Sequence, residues 1–371
     1  SWLPLLKKMR FPLALSWTGV DLFFVLSGFL IGGILLDNRD SSNYFRVFYA
    51  RRALRILPLY LFMLASLGAG VYAVRHGWLK GPGWEYLFGN PYPPYVYGTF
   101  TQNFLVARTG DYGPQWSNVT WSLAVEEQFY FILPLFIRLV PTRSRRLTLL
   151  ALIGGASLFR AALIFFGVGV PREGAYTLFP ARMDALFLGV LLAVLFREPS
   201  SARWLRPFMN RYFVVGFSLL LIPFYFYSPL YRTIPAVIGY TIIAVFFGGV
   251  LVHAVAREGS PPNRICRHPW LQRAGRLAYG IYLFHVPVLG LIFAIWAGGP
   301  PRLDTPATIV LVLLAFALTF LLAELSFRYF ENPLIRYGHR YRYQKAAAGT
   351  RPGTSAPDLN ATAAAGSGRR P

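Results

Sequence analysis

Nine apolar stretches divide this chain, each about long enough to cross a bilayer as a helix: 17–36, 53–74, 121–140, 147–168, 176–196, 212–229, 233–256, 277–297 and 306–326. This pattern restricts the fold more than any other feature. A backbone surrounded by hydrocarbon must satisfy its own hydrogen bonds, and a helix does so within one segment. The expected fold class is therefore all-α, a polytopic membrane helical bundle with about nine transmembrane helices. Composition agrees, since 55% of the 371 residues are hydrophobic and only 14% are charged. A soluble domain of this length would present a more polar surface.

The formal charge of +22 could suggest a nucleic-acid binder, but the distribution of the arginines argues against it. They lie in short clusters between the apolar stretches, as in Arg39, Arg46, Arg51, Arg52 and Arg55, and again in Arg138, Arg143, Arg145 and Arg146. Basic and less basic connections alternate, and the basic set is expected on the cytoplasmic side of a plasma (inner) membrane. The longest of the other connections, 81–118, is rich in Gly, Pro and aromatic residues. It predicts an ordered outer-face cap with a short helix near 96–107. Nine spans put the first residues outside and the C-terminus in the cytoplasm. Lys7, Lys8 and Arg10 then sit on the outer side, a conflict that one further span upstream would resolve. Residues 1–16 are thus expected as an outer-face segment, 17–335 as the membrane domain, and 336–371 as a basic, low-complexity, disordered tail. Cys266 is the single cysteine, so no intramolecular disulfide or cysteine-based metal site is encoded, and no metal is expected.

Ionisable residues within spans are costly in lipid and mark an interior cavity or a partner. "GVDLFFVLSGFLIGGIL" carries Asp21, followed by Ser27, Gly28, Gly32 and Gly33, small residues that let another helix approach closely. In "TWSLAVEEQFYFILPL", Ser122, Glu126 and Tyr130 follow i, i+4, i+8 and share one helix face. Glu127 points about 100° away. A carboxylate with Ser and Tyr on its face suits a base or the group that orients one. Alternatively, both glutamates are structural and pair with arginines such as Arg160 or Arg182. In "YARRALRILPLY", Arg52 and Arg55 are i, i+3 neighbours whose planar forks suit phosphate groups. Ordinary anchoring to lipid phosphates is the alternative there. "PARMDALFLGVLLAVLF" adds Arg182 and Asp184, "GRLAYGIYLFHVPVLG" adds Tyr279, Tyr282 and His285, and "FALTFLLAELSFRYFENPL" adds Glu324 and Glu331. A histidine such as His285 serves either as a helix–helix hydrogen-bonder or as a catalyst.

Six segments, "GVDLFFVLSGFLI", "RRALRILPLY", "TWSLAVEEQFYFILPL", "RMDALFLGVLLA", "LAYGIYLFHVPV" and "AELSFRYFENPL", resemble in order and spacing the integral-membrane acyltransferase-3 family. That family includes bacterial O-antigen, peptidoglycan and macrolide O-acyltransferases, and the resemblance covers residues 17 to about 335. It implies an inner-membrane bundle of about ten helices that moves an acyl group, expected to be acetyl, from cytoplasmic acyl-CoA. The acceptor would be a hydroxyl of a glycan, a lipid-linked glycan or a small molecule. No permanently bound cofactor and no nucleic-acid partner are implied.

Carried over by motif, Arg52 and Arg55 would serve the CoA phosphates, and Glu126 and Glu127 would line the site or orient its base. Asp21 matches the acidic position of the second family helix. Arg182, Tyr282 and His285 would line the same cavity, with Trp121, Ser122, Tyr130 and Asp184 as further substrate contacts. One departure stands out: the family's principal histidine, preceded by an arginine, lies on a first helix that residues 1–16 do not match. Two other readings follow from the residues. A transporter or flippase would use buried charges and broken helices, although no inverted repeat is visible. A non-catalytic relic would bind acyl-CoA through Arg52 and Arg55 without turnover.

Overall fold

The computed structural model describes residues 16–198, 202–210, 235–344 and isolated positions between 212 and 219. Helices α1 (Gly19–Asp37) and α2 (Tyr44–Arg75) come first. Three short helices follow, α3 (Pro82–Phe88), α4 (Pro94–Gly98) and α5 (Gln102–Thr109). The next run is α6 (Thr120–Leu139), α7 (Thr142–Phe166), α8 (Pro171–Thr177), α9 (Phe179–Arg197) and α10 (Ala202–Met209). After a π turn at Pro235–Gly239 come α11 (Tyr240–Ala256), α12 (Pro261–Arg267), α13 (Pro269–Arg276), α14 (Ala278–Trp296), α15 (Pro306–Ser326) and α16 (Asn332–Gly338). Among the described residues there is no β-strand, so the chain is an all-α, multi-pass membrane protein.

Seven described helical runs are long and apolar enough to cross a membrane. The expected span at 121–140 is α6, long enough at 20 residues, but Glu126, Glu127, Gln128 and Arg138 make it more polar than the seven. The expected span at 212–229 lies outside the described residues but for isolated positions. Helix α2 begins nine residues before the expected 53, because nothing in "YFRVFYARR" breaks a helix, so Arg51, Arg52 and Arg55 are helical. The tail expected from 336 is described as far as 344, where it is packed rather than loose; the remainder lies outside the described residues.

Helix α9 is the centre, buried continuously from Asp184 to Leu195 and contacting α1, α6, α7 and α11. Its closest neighbour is α1, and the small residues explain why. A Cβ at Gly28 would run into the Leu186 carbonyl, and one at Gly189 into the Val25 carbonyl. Gly32 meets Val190 on the same seam. The glycines of α1 therefore let two backbones touch, as their spacing suggests.

The arginine-rich connections gather at one end of the bundle. There Asp37 meets Arg197 at 2.6 Å, Arg39 bonds Thr142 at 3.2 Å, and Arg146 meets Glu198 at 3.1 Å. The opposite end carries the cap, in which the single helix expected near 96–107 is divided into α4 and α5. Phe100 causes the break with a left-handed φ of 54°. Its ring stacks on Tyr60 at 4.9 Å, and its carbonyl accepts Gln128 Nε2 at 2.9 Å, so packing holds a backbone that local propensity does not favour. The cap is tied to the bundle where Tyr112 donates to Glu173. Burial first, and then that carboxylate, push the Tyr112 phenol well above its ordinary range.

Candidate active site

Helix α6 presents Ser122, Glu126 and Tyr130 along one face, and each finds a polar partner across the bundle. Glu126 is buried, and its Oε1 accepts from Ser27 Oγ at 2.6 Å on α1 and also from the Tyr130 hydroxyl. Ser27 and Tyr130 themselves lie 2.9 Å apart, which closes a three-membered hydrogen-bonded cluster. A buried carboxylate needs such donors, because an unpaired one in an apolar interior is strongly disfavoured. One turn before Glu126, Ser122 Oγ meets the Tyr282 hydroxyl, which also donates to the Val119 carbonyl at 2.8 Å. The Phe23 ring stacks on Tyr282 at 6.0 Å and fixes the ring's tilt.

His285 lies one turn beyond Tyr282 on α14. Its Nδ1 is 2.6 Å from the Tyr282 carbonyl. A carbonyl only accepts, so Nδ1 carries the proton and Nε2 keeps a free lone pair. The imidazole is exposed in the described structure, and no hydrogen bond joins it to either glutamate among the described residues. Glu127 diverges from Glu126 as helical geometry requires. It is half-buried, its Oε1 has no hydrogen-bond partner among the described residues, and its charge reaches Tyr60 and Tyr279 instead.

Toward the basic end, the Arg52 guanidinium lies over the Tyr130 ring, 5.7 Å from its centre. Arg51, Arg52 and Arg55 project into a pocket of about 210 Å³ whose other walls include Ile34, His339 and Tyr343. The segment after α16 forms the last wall. Arg51 donates to the Tyr341 carbonyl at 2.6 and 3.0 Å and stacks on Tyr343 at 5.3 Å. Asn43 donates to the Arg342 carbonyl at 2.9 Å and accepts from the Gln344 amide at 3.0 Å. Burial pushes the Tyr343 phenol up, partly offset by Arg51 and Arg52. Glu331, bonded by Ser326 Oγ at 2.8 Å, lies within electrostatic reach of Arg55 from the π turn at Phe327–Glu331.

The remaining sequence-predicted residues form a second, separate network. Asp21 pairs with Arg182, and Asp184 pairs with Arg160 at 2.9 Å; all four side chains are buried. Arg160 is saturated, bonding the Val237 carbonyl at 2.8 Å, Thr241 Oγ1 at 2.7 Å and Ser157 Oγ at 3.0 Å as well as the Ala181 carbonyl. Arg182 is held differently, flat against the Tyr240 ring at 4.2 Å, with Tyr176 at 5.4 Å and Phe24 at 5.7 Å. Trp121 packs on Tyr176 at 4.6 Å, so it belongs to this aromatic box. The alternative pairing of Glu126 and Glu127 with Arg160 or Arg182 is therefore incorrect, because the two aspartates take both arginines.

In the sequence Ser27 reads as a packing residue, whereas in the structure it is also a donor to Glu126. A lone hydroxyl in an apolar helix was the available signal. Nothing local marked Arg51, His339, Tyr343, Tyr176 or Tyr240, whose roles depend on distant segments. Among the described residues, no group of three or more His, Cys, Asp or Glu side chains could hold a metal.

A family model described as an acyltransferase domain (Acyl_transf_3) matches residues 2–324. The chain belongs to the acyltransferase-3 family. Among curated proteins it is similar to "Peptidoglycan O-acetyltransferase OatA" of Listeria monocytogenes, 28% identical over 91% of this chain and 55% of the relative. It is also similar to "Putative peptidoglycan O-acetyltransferase YrhL" of Bacillus subtilis, 29% identical over 90% of this chain and 54% of the relative. The chain thus spans about half the length of the curated family members it matches. No solved structure matches it.

Proposed function

We propose that residues 17–335 form a membrane O-acyltransferase domain that moves an acyl group, acetyl in the simplest case, from acyl-CoA to a hydroxyl of a cell-envelope glycan. The observation that carries this reading is a continuous polar path. It runs from the arginine pocket at the basic end through Tyr130, Glu126 and Ser27, then one helical turn on to Ser122 and Tyr282, with the exposed His285 imidazole one turn beyond. The positive-inside rule turns the basic end and residues 336–344 toward the cytoplasm of a plasma membrane, where acyl-CoA is found. Arg52 and Arg55 suit the donor's phosphates, since guanidinium forks bind phosphate oxygens bidentately. The relatives' names support a glycan acceptor.

The chemistry follows from the residues along the path. The acceptor oxygen attacks the thioester carbonyl while His285 Nε2 takes its proton, a role its tautomer permits. The C–S bond then breaks, and the imidazolium returns the proton to the departing CoA thiolate. Glu126 places a negative charge on the path one helical turn from the Ser122–Tyr282 pair, and its two hydroxyl donors keep the carboxylate fixed. The second network, fully enclosed, holds α1 and α9 in register so that Ser27 meets Glu126.

The test uses membranes containing the chain and acetyl-CoA labelled in the acetyl group. Alkali-labile label should appear on envelope glycan, and it should fall when Glu126 becomes Gln. Absence of label from every glycan fraction, with no acetyl-dependent release of CoA, would overturn the proposal. Label that enters the lumen of vesicles unattached to glycan would favour transport instead.

A further inference from the structure

The helical run that ends the membrane domain carries a basic groove unconnected with the polar path. Arg328, Asn332, Arg336 and Arg340 follow each other at four-residue intervals, so they line one face as α15 passes through its π turn into α16. With Pro333 and Tyr337 they form a shallow groove of about 480 Å³. The three arginines are exposed, and no carboxylate lines the groove. The nearest acids are already engaged, Glu324 by Arg273 at 3.1 Å and Glu331 by Ser326 at 2.8 Å. Arg328 and Arg340 instead rest on the rings of Tyr329 and Tyr337, both at 5.4 Å.

Position identifies the occupant. The face of α15 leading to the groove exposes Leu314, Leu321, Leu322 and Leu325, an apolar surface suited to acyl chains. Tyr329, Phe330 and Tyr337 are exposed beside the groove at the end of a membrane-length helical run, and aromatic side chains at span ends favour the membrane–water boundary. A guanidinium cluster at that depth meets headgroup phosphates, with hydrocarbon directly beside it.

We propose that this groove is a binding site for the phosphate of an anionic phospholipid, gripped by Arg328, Arg336 and Arg340 while the acyl chains lie on α15. The site is separate from the arginine pocket, which Arg51, Arg52 and Arg55 line.

The full chain in phosphatidylcholine micelles is titrated with phosphatidylglycerol, and bound lipid is counted by native mass spectrometry. Phosphatidylglycerol should be retained in preference to phosphatidylcholine. The double variant R336Q/R340Q should bind it about thirtyfold more weakly, taking about 1 kcal/mol for each arginine. R302Q, at the opposite end, should bind as the parent does, and the single variant R336Q serves if the double variant does not fold. Retention by R336Q/R340Q equal to that of the parent would overturn the proposal. Complete displacement of the lipid by millimolar glycerol phosphate would also overturn it, because the groove would then recognise a soluble phosphate without the chains.

Discussion

Replacing Asp21 by Asn removes one negative charge from the aromatic box while nearly preserving its shape. The consequence differs from that of the same change at Asp184, although both aspartates are fully buried partners of arginine. Among the described residues, Arg182 has no hydrogen-bond partner at Nε or Nη1, and Asp21 is the one carboxylate bonded to it. Loss of that charge leaves a buried cation against three aromatic rings, and breaking a buried pair in this way costs about 3–5 kcal/mol. That is about a hundred- to four-thousand-fold in the folding equilibrium. Arg160 keeps two backbone carbonyls and two hydroxyls when Asp184 becomes Asn, so the cost there is about 1–3 kcal/mol, that of one charge-assisted hydrogen bond. The assay is thermal unfolding of the purified protein in mild detergent, followed by tryptophan fluorescence. Asp21→Asn should lower the transition clearly more than Asp184→Asn. The double variant Asp21→Leu/Arg182→Met should recover most of the loss, because an apolar pair leaves no buried charge. Equal losses for the two single variants, or a double variant worse than Asp21→Asn, would refute the reasoning.

Three further outcomes are expected. Glu126→Gln keeps acceptors for Ser27 and Tyr130 but loses the charge; transfer to glycan should fall by at least about a hundredfold, with thermal stability unchanged or raised. Gly28→Val drives side-chain atoms into the Leu186 carbonyl and should abolish the monodisperse peak in size-exclusion chromatography, whereas Gly68→Val, in open space, should not. Asn43→Ala removes two of the bonds that hold 342–344, and limited trypsin digestion should then cut after Arg340 and Arg342 faster than in the parent.

Much of the site was legible because it depends on helical periodicity. Ser122, Glu126 and Tyr130 share a face for the same reason that any residues four apart do, and the divergence of Glu127 follows from the same geometry. The glycines of α1 also read correctly, since small side chains at a helix surface have few other uses in lipid. Which acid would meet which arginine was not legible. Asp21 and Arg182 are 161 positions apart, and only the seam between α1 and α9 brings them together. The residues that close the arginine pocket were hidden for a similar reason. Tyr343 and His339 lie in a stretch whose composition looks like a tail, and Asn43 and Arg51 hold it by backbone groups that carry no sequence signal. The break at Phe100 carries no sequence signal, because a bulky residue rarely takes a left-handed conformation, and here Tyr60 and Gln128 impose it.

The pairing of Asp21 with Arg182 also bears on how the protein is made. A ribosome adds about 5–20 residues each second, so about ten to thirty seconds separate the two halves of the pair. During that interval α1 has a carboxylate without its cation and a glycine stripe without its opposing backbone. It cannot settle in its final place on its own merits. Its lodging in the bundle awaits α9, so the first long helix to be synthesised among those described is locked only after eight others have followed it.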